Sequence, residues 1–429
     1  MIRNEAWDII ADRIKVGDFY RPEHQIIFEV MAALANDTQP LDVLTLAEAL
    51  QSRKLADRVG GIAYLAELAE ETPSAANIGA YADIVRERAV LRQLISAGSD
   101  IAESAFAPEG RSSGDLLEEA MESVFKIADS GIEGEGPRQV EPLLVEAFNR
   151  VDERHNNPSG ITGVPTGFSD LDRLTAGLQD SDFIVIAGRP SMGKTALAVN
   201  IAEHAVMHAD DDDAVIIFSM EQPAEQLVMR LLSSLGRIDQ SRLRTGNLHD
   251  ADFRSLESAV NLLKHKPLYI DDAGGLSPNT ARLRARRVAR KTGGKLKLII
   301  VDYMQLMHAE GRSENRTLEM AEISRTLKSM AREFRCPLVA LSQLNRNPMN
   351  RENKRPRLSD LRESGAIEQD ADVVLFVHRD TDEDSEDKGI AEIIIGKQRN
   401  GPTGRVKMRF FEELTKFELL DHGEYDSFD

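Results

Sequence analysis

The sequence is poor in cysteine, in aromatic residues and in positive charge, and it has no long apolar run. Cys336 is the one cysteine among 429 residues, so an intrachain disulfide and a cysteine-based zinc site are both excluded. No apolar run approaches the roughly 20 residues that a membrane helix requires, and the N-terminal residues lack the apolar core of a signal peptide. The sequence therefore predicts a cytoplasmic protein in a reducing compartment, with no membrane partner.

Basic residues are too few to balance the acidic ones, since 53 Lys and Arg stand against 72 Asp and Glu, for a net charge of −19. This balance excludes a protein that coats nucleic acid through a broadly basic surface. Most of the negative charge, however, falls in residues 1–140, and basic clusters occur beyond them. A nucleic-acid strand can still be held if each of several subunits contributes a few cationic contacts.

Three regions of different pattern divide the chain, whose length corresponds to two or three domains. Residues 1–129 have helical spacing throughout, and Thr45 and Glu48 stand in capping-box register, which predicts a helix that begins at Thr45. Residues 130–163 are rich in Gly, Pro, Ser and Asn, as linkers are. Residues 164–429 contain seven short β-rich runs, most of them continuously apolar. The sequence predicts an all-α domain, a linker, and an α/β domain with a mostly parallel sheet.

One short helix is predicted inside the linker, at residues 141–155. Leu144 and Val151 belong to its narrow apolar stripe, which a helix between two flexible segments cannot bury alone. The stripe docks either on a neighbouring subunit or on the same chain, and the residues leave both open. Upstream, the apolar spacing around residues 84–101 and 117–128 predicts an antiparallel helical hairpin.

The strongest motif is GRPSMGKT, which fits G-x-x-x-x-G-K-[ST] between an apolar strand and a helix. Its glycines let main-chain N–H groups approach phosphates, and the helix N-terminus faces them. Lys194 is expected to reach the β- and γ-phosphates of ATP, and Thr195 to bind Mg²⁺. The predicted nucleotide-binding residues, named the phosphate loop below, are Gly188, Arg189, Pro190, Ser191, Met192, Gly193, Lys194 and Thr195.

Polar residues follow three of the other predicted strands. Glu221 comes just after AVIIF and is the candidate general base that activates water, with a helix-capping glutamate as the alternative. Asp302 ends LKLIIVD and fits a Walker B carboxylate that completes the Mg²⁺ site. Gln343 ends LVALSQ and is either a sensor of the γ-phosphate or a structural amide.

Two basic segments lie further along the chain. Residues 345–357 are rich in Arg, Asn and Pro and lead to Arg362, Glu363 and Gly365, a composition that suits contacts with a phosphate backbone but also a merely solvated loop. Lys397 and Arg399 are two residues apart near the end of a predicted strand, so they lie on the same side of it. Such a pair suits a γ-phosphate bound across a subunit interface, whereas structural pairing with acidic neighbours is the alternative.

Taken together, the motifs resemble a known family. GRPSMGKT, FSMEQPAEQLVMR, LIIVDYMQLM, LSQLNR, DLRESGAIEQDAD and IIIGKQRNGP occur in the order found in bacterial DnaB-type replicative helicases. LDVLTLAEAL, the stretch from GGIAYLAEL to VLRQL, and GVPTGFSDLD resemble the same family's N-terminal domain and linker. The resemblance covers nearly the whole chain. Members usually carry a further N-terminal segment, so the sequence is expected to enter partway into the first helices.

This resemblance implies a RecA-like ATPase domain in a ring of six subunits around single-stranded DNA. The ring would translocate 5′ to 3′ with ATP and Mg²⁺ and unwind the duplex at the replication fork, with primase, a helicase loader and a clamp-loader component as partners. The linker helix would dock on the adjacent subunit. The resemblance assigns catalysis to Lys194, Glu221 and Gln343, with Lys397 and Arg399 from the next subunit, Mg²⁺ binding to Thr195 and Asp302, and DNA contacts to Arg362, Glu363 and Gly365.

Two other classes share part of the pattern. A RecA- or RadA-type recombinase or a clock-type ATPase would have the same nucleotide motifs, but not the helical hairpin, linker helix and KQRN turn together. A non-catalytic ring scaffold or loading adaptor would usually have lost Lys194 or Glu221, and both are present.

Overall fold

The computed structural model describes residues 4–11, 13–72, 77–129, 139–155, 160–308, 315–344, 355–361, 365–380 and 389–420. The chain divides into two compact units, Met1–Ala147 and Phe148–Asp429. Within the described ranges, no helix combines the length and the apolar character needed to cross a membrane.

The first unit is helical, as predicted, in the part that the structure describes. Helix α3 begins at Val43 rather than at Thr45, because the Asp42 carboxylate accepts hydrogen bonds from the main-chain N–H and the hydroxyl of Thr45, at 2.9 and 3.0 Å. Buried leucines, Leu46 and Leu65 among them, form its core. The helices are α1 (Trp7–Ile10), α2 (Pro22–Asn36), α3 (Val43–Ser52), α4 (Gly61–Glu70), α5 (Ile78–Phe106) and α6 (Ser113–Asp129).

Helices α5 and α6 pack against each other, which agrees with the predicted hairpin. The linker helix exists as α7 (Val140–His155), and it crosses the division between the two units. Its apolar stripe is exposed, with Leu144 61%, Phe148 72% and Val151 61% accessible. Contiguous exposed apolar side chains of this kind are typical of protein–protein interaction sites.

In its described residues, the second unit contains one nine-stranded sheet with the order β3-β2-β4-β5-β1-β6-β7-β8-β9. All pairings from β3 to β6 are parallel, and those from β6 to β9 are antiparallel, so the prediction of a mostly parallel sheet is confirmed. Two strands, β8 and β9, were not predicted. The strands are β1 (Phe183–Gly188), β2 (Asp213–Ser219), β3 (Leu268–Asp271), β4 (Lys295–Asp302), β5 (Leu338–Gln343), β6 (Val373–Arg379), β7 (Ile390–Gln398), β8 (Gly404–Phe411) and β9 (Lys416–Leu419).

Helices cover both faces of this sheet. Alternate residues of β1 point to opposite faces, so Ile184 joins the core around α9 whereas Val185 joins the core around α13 and α14. This double coverage explains why the central strands are continuously apolar. The helices are α8 (Ser169–Thr175), α9 (Lys194–Met207), α10 (Ala224–Gly236), α11 (Gln240–Thr245), α12 (Asp250–Leu263), α13 (Pro278–Lys291), α14 (Arg316–Phe334) and α15 (Gly365–Asp370).

The two ends of the strands form two opposite edges of the sheet, and these edges carry different residues. Because β1, β2, β4 and β5 are parallel, their carboxyl ends lie along one edge, where Gly188 of β1 pairs with Gln343 of β5. Strand β7 runs the other way, and its last residue, Gln398, pairs with Val373 at the start of β6. The segment after β7 therefore lies at the opposite edge.

Candidate functional site

The phosphate loop connects β1 to α9 at the carboxyl edge of the sheet. Ser191 and Gly193 adopt left-handed backbone conformations, with φ of 64° and 98°. A Cβ at Gly193 would also lie 2.9 Å from the Phe417 ring, so glycine fits there for two reasons. This winding turns main-chain N–H groups and the N-terminus of α9 toward one point, which is the geometry of a phosphate site.

Lys194 is the first residue of α9 and reaches back over the loop. Its ammonium donates a hydrogen bond to the Arg189 carbonyl at 2.9 Å. Burial lowers the pKa of Lys194, while the nearby carboxylates of Asp302 and Glu221 act in the opposite direction. The structure thus brings Lys194, Asp302 and Glu221 into one electrostatic group, as the sequence predicts for them.

Thr195 and Asp302 supply adjacent oxygens at the same edge. The Thr195 hydroxyl donates to the Asp302 Oδ2 atom at 3.0 Å. Asp302 ends β4 and is 3% exposed. Burial raises its pKa to about 6, and the neighbouring Glu221 adds to the rise. A hydroxyl next to a buried carboxylate fits Mg²⁺, which takes hard oxygen ligands and uses few protein groups when phosphates are present.

Glu221 lies beside Asp302. Strands β2 and β4 are paired as far as Ser219 and Asp302, and the residue that follows β2, Met220, donates its N–H to the Asp302 carbonyl at 2.7 Å. The Glu221 side chain is exposed to solvent. Helix α10 begins three residues later, at Ala224, whose N–H donates to the Asp272 carboxylate at 2.8 Å. The first N–H of α10 is therefore bound by Asp272 and not by Glu221, whose side chain is accessible to water.

A further charged residue of this site was not predicted. Arg230 of α10 is largely buried, which lowers its pKa, and the charges that oppose this shift are those of Asp302 and Glu221. Its Nε atom has no hydrogen-bond partner in the described part of the chain. The arginine is present in the FSMEQPAEQLVMR motif, but only the packing of α10 reveals that it points toward the carboxylates.

Gln343 ends β5 directly beside the phosphate loop. It pairs with Gly188, and the next N–H, of Leu344, donates to the Gly188 carbonyl at 3.2 Å. The side-chain amide of Gln305 holds this strand end, since its Nε2 donates to the Ser342 hydroxyl at 2.8 Å and its Oε1 accepts from the Gln343 N–H at 3.4 Å. Gln305 was also not predicted as part of the site.

Lys397 and Arg399 lie at the opposite edge of the sheet. The Arg399 N–H donates to the carbonyl of Asp372, which comes just before β6. The register places Lys397 beside Val374, which is level with Val185 of β1, and Arg399 beside Asp372, which is level with Phe183. At about 3.3 Å per residue, the two residues lie about 10 Å and about 17 Å along the strands from Gly188. They are also two strands away from β1, so their side chains cannot reach the phosphate loop of their own chain.

Both cations face the same group of acceptors, as the alternation predicts. The Lys397 ammonium donates to the carbonyls of Glu368 and Ala371 at the end of α15. Arg399 donates to the Gln369 carbonyl at 2.5 Å and forms an ion pair with Asp372 at 3.5 Å. The Arg399 side chain is nevertheless 45% exposed.

Most of the predicted DNA-contacting segment falls outside the described residues, including Arg362 and Glu363. Gly365 is described and begins α15. Of the basic cluster before them, Arg355 is not merely solvated, because its guanidinium binds both carboxylate oxygens of Glu392 in β7, and this interaction lowers the pKa of Glu392.

Comparison with known sequences gives two family matches. The family described as "DnaB-like helicase C terminal domain" matches residues 163–419, and the family described as "DnaB-like helicase N terminal domain" matches residues 1–87. The replicative DNA helicase DnaB of Haemophilus influenzae is 51% identical, over 99% of this chain and 92% of its own length. For replicative DNA helicase DnaC of Bacillus subtilis the identity is 44%, over 98% of this chain and 92% of its own length.

Two solved structures are similar as well. The ATPase domain of G40P has a TM-score of 0.62 and 38% identity, and the match covers 67% of this chain and all of that one. A DnaB-like replicative helicase, described together with its interactions with primase, has a TM-score of 0.73 and 31% identity, over 98% of this chain and 100% of that one.

Proposed function

This chain belongs to the DnaB family of replicative DNA helicases, and on that premise we propose that six copies form a ring that moves 5′ to 3′ along single-stranded DNA. The chain is an ATP-dependent DNA helicase with a RecA-like domain. The observation that carries the ring is the placement of Lys397 and Arg399 at the edge of the sheet opposite the phosphate loop. Cations so placed act on the nucleotide of a neighbouring subunit.

In the proposed nucleotide site, the phosphate loop binds ATP through its N–H groups and Lys194. Thr195 and Asp302 would hold Mg²⁺, which neutralises phosphate charge when bound. Glu221 orients the attacking water and accepts its proton, a task that suits an exposed carboxylate beside the buried Asp302. Gln343 contacts the γ-phosphate from the adjoining strand end.

The cationic groups divide between two subunits. Lys194 and Arg230 belong to the chain that binds the nucleotide, whereas Lys397 and Arg399 come from the next chain and stabilise the charge that develops on the γ-phosphate. To reach that phosphate, the Lys397 ammonium must exchange its bonds with the α15 carbonyls for bonds with phosphate oxygens. Hydrolysis then depends on assembly.

The proposed DNA contacts are Arg362, Glu363 and Gly365, on a loop that follows the DNA backbone inside the ring. Support comes from α15, which begins at Gly365 and ends at the carbonyls that bind Lys397 and Arg399. One short helix thus joins the proposed DNA loop to the two cations. We propose that a shift of the DNA loop moves the carbonyls that bind the two cations.

We propose four further interactions and a site of action. The exposed stripe of α7 docks on the adjacent subunit, because its area of apolar side chains needs cover. Primase is a proposed partner, since a similar helicase is described with its interactions with primase. A helicase loader and a clamp-loader component follow from the family resemblance, and the cytoplasm follows from the location of bacterial replication forks.

Forked DNA gives the direct test of function. We expect the chain, with ATP and Mg²⁺, to displace a labelled strand from a fork with a 5′ single-stranded tail and not from a substrate with only a 3′ tail. Glu221→Gln is the matched control, because it keeps the size of the side chain and is expected to slow ATP hydrolysis by about 10²–10⁴-fold. Strand pairing without displacement, or displacement that requires a 3′ tail, would contradict the proposal.

The Mg²⁺ assignment is tested with Asp302→Asn, which keeps the shape of the side chain and an acceptor for the Thr195 hydroxyl. The half-saturating Mg²⁺ concentration for ATP hydrolysis is expected to rise by about 10–100-fold. Hydrolysis is measured against Mg²⁺ at fixed ATP, with Asp211→Asn on the exposed loop before β2 as the control. An unchanged Mg²⁺ dependence would remove Asp302 from the metal site.

A further inference from the structure

Asp372 lies at a junction of three elements on the edge of the sheet away from the phosphate loop. It is 5% exposed. Its Oδ2 atom accepts hydrogen bonds from the Phe183 N–H at 2.8 Å and from the Lys328 ammonium at 2.5 Å. Its Oδ1 atom is 3.5 Å from the Arg399 guanidinium. One carboxylate therefore connects the start of β1, helix α14 and the turn after β7.

Lys328 completes this arrangement. Besides Asp372, its ammonium binds the Ser181 carbonyl at 2.9 Å, and its side chain is 16% exposed. A buried carboxylate requires a counter-charge and several hydrogen bonds to be stable, and Lys328 and the Phe183 N–H supply them. The Asp372–Lys328 pair is thus fixed by the core of the domain and does not depend on Arg399 for its own stability.

The main chain holds Arg399 against the same residue. Its N–H donates to the Asp372 carbonyl at 2.9 Å, and its guanidinium also donates to the Gln369 carbonyl. A guanidinium has five N–H donors, which is more than these contacts use, and the side chain is 45% exposed. The arginine is oriented by the protein and still has donors for an external phosphate.

We propose that the Asp372–Lys328 pair positions Arg399 for the γ-phosphate bound by the neighbouring subunit, an inference that rests on the trans role given to Arg399 above. Asp372 and Lys328 touch neither the phosphate loop of their own chain nor, by this proposal, any nucleotide, so they are positioning residues. Orientation before the reaction matters because a misplacement of about 1 Å can reduce a rate by about 10²-fold.

The negative charges near Asp372 support the proposal. Asp182 lies beside the pair, and burial together with the charge of Asp372 raises the pKa of Asp182 to about 6, while Lys328 and Arg399 oppose that rise. The described cations close to Asp372 are Lys328, Arg399 and Lys397, and the Lys397 ammonium is already bound to the carbonyls of Glu368 and Ala371. The negative charges of Asp372 and Asp182 attract Arg399 to this edge of the sheet.

The test uses Asp372→Asn and Lys328→Gln in the full-length chain, with Asp211→Asn and Lys264→Gln at exposed positions as controls. We expect kcat for ATP hydrolysis to fall by about 10²-fold, with KM for ATP changed less than about twofold because the phosphate loop lies at the other edge. Lys328→Arg, which keeps the charge, should recover most of the rate. Thermal unfolding and ring assembly are measured for every variant, and Lys328→Gln carries the test if Asp372→Asn does not assemble.

Mixing experiments separate positioning from general damage. Subunits with Asp372→Asn keep an intact phosphate site, so mixing them with Lys194→Ala subunits, which keep Arg399 in place, should restore hydrolysis. If Arg399→Ala is rescued in this way and Asp372→Asn is not, the positioning proposal is overturned, whereas the trans role of Arg399 stands. If neither is rescued while mixed rings form, the trans arrangement fails and the positioning proposal fails with it. A wild-type kcat for both Asp372→Asn and Lys328→Gln would also overturn the positioning proposal.

Discussion

Replacing Arg399 by alanine is expected to reduce ATP hydrolysis by about 10³–10⁵-fold, the loss typical when an arginine supplied in trans is removed. Binding of ATP should remain close to wild type, because Arg399 lies at the opposite edge of the sheet from the phosphate loop of its own chain. The rate is measured in the steady state with single-stranded DNA present. Nucleotide binding is followed separately with a fluorescent ATP analogue.

The control for Arg399→Ala is Arg287→Ala, an exposed arginine of α13. The trans role is tested by mixing Arg399→Ala subunits with Lys194→Ala subunits, each inactive alone. At interfaces where an intact phosphate site meets an intact Arg399, hydrolysis should return, with a maximum at intermediate ratios. Failure of rescue at every ratio, with mixed rings demonstrated, would contradict action across the interface.

Lys194→Ala is expected to lower ATP hydrolysis by at least about 10³-fold, because it removes a partly desolvated ammonium from the developing phosphate charge. The fold should persist, since the described hydrogen bond of this ammonium is a single contact with the Arg189 carbonyl. Turnover and thermal unfolding are measured together, and Tm is expected to stay within about 4 °C. Lys264→Ala, at an exposed position just after α12, serves as the control. Unchanged turnover in Lys194→Ala would remove the phosphate-site assignment.

The strands that the sequence revealed are those covered on both faces. FIVIA and LIIV are apolar at every position, so β1 and β4 were recognisable without knowledge of their partners. Strand β8, GRVKMRFF, alternates polar and apolar residues around an antiparallel hairpin, and it was missed together with the four-residue β9. The start of α3 was displaced by two residues because Asp42 and Thr45 are both acceptable caps.

The same distinction applies to the site. The placement of Glu221, Asp302 and Gln343 at one edge was predictable, because each ends or closely follows a parallel strand and the carboxyl ends of such strands meet at one edge. The position of Arg230 near the carboxylates was not predictable, because it depends on how α10 packs on the sheet. Asp372 was not either, since its neighbours come from three elements distant in sequence.

A consequence of the two-edged sheet concerns how the rate depends on protein concentration. If Arg399 acts in trans as proposed, a lone subunit has no complete reaction centre, and a dilute pool of unassembled chains should hydrolyse ATP very slowly. The total rate of ATP hydrolysis should then rise more steeply than in proportion to protein concentration until rings form. A ring with one open interface has one working centre fewer than it has subunits. On the proposed arrangement, the fold therefore limits ATP consumption to assembled subunits.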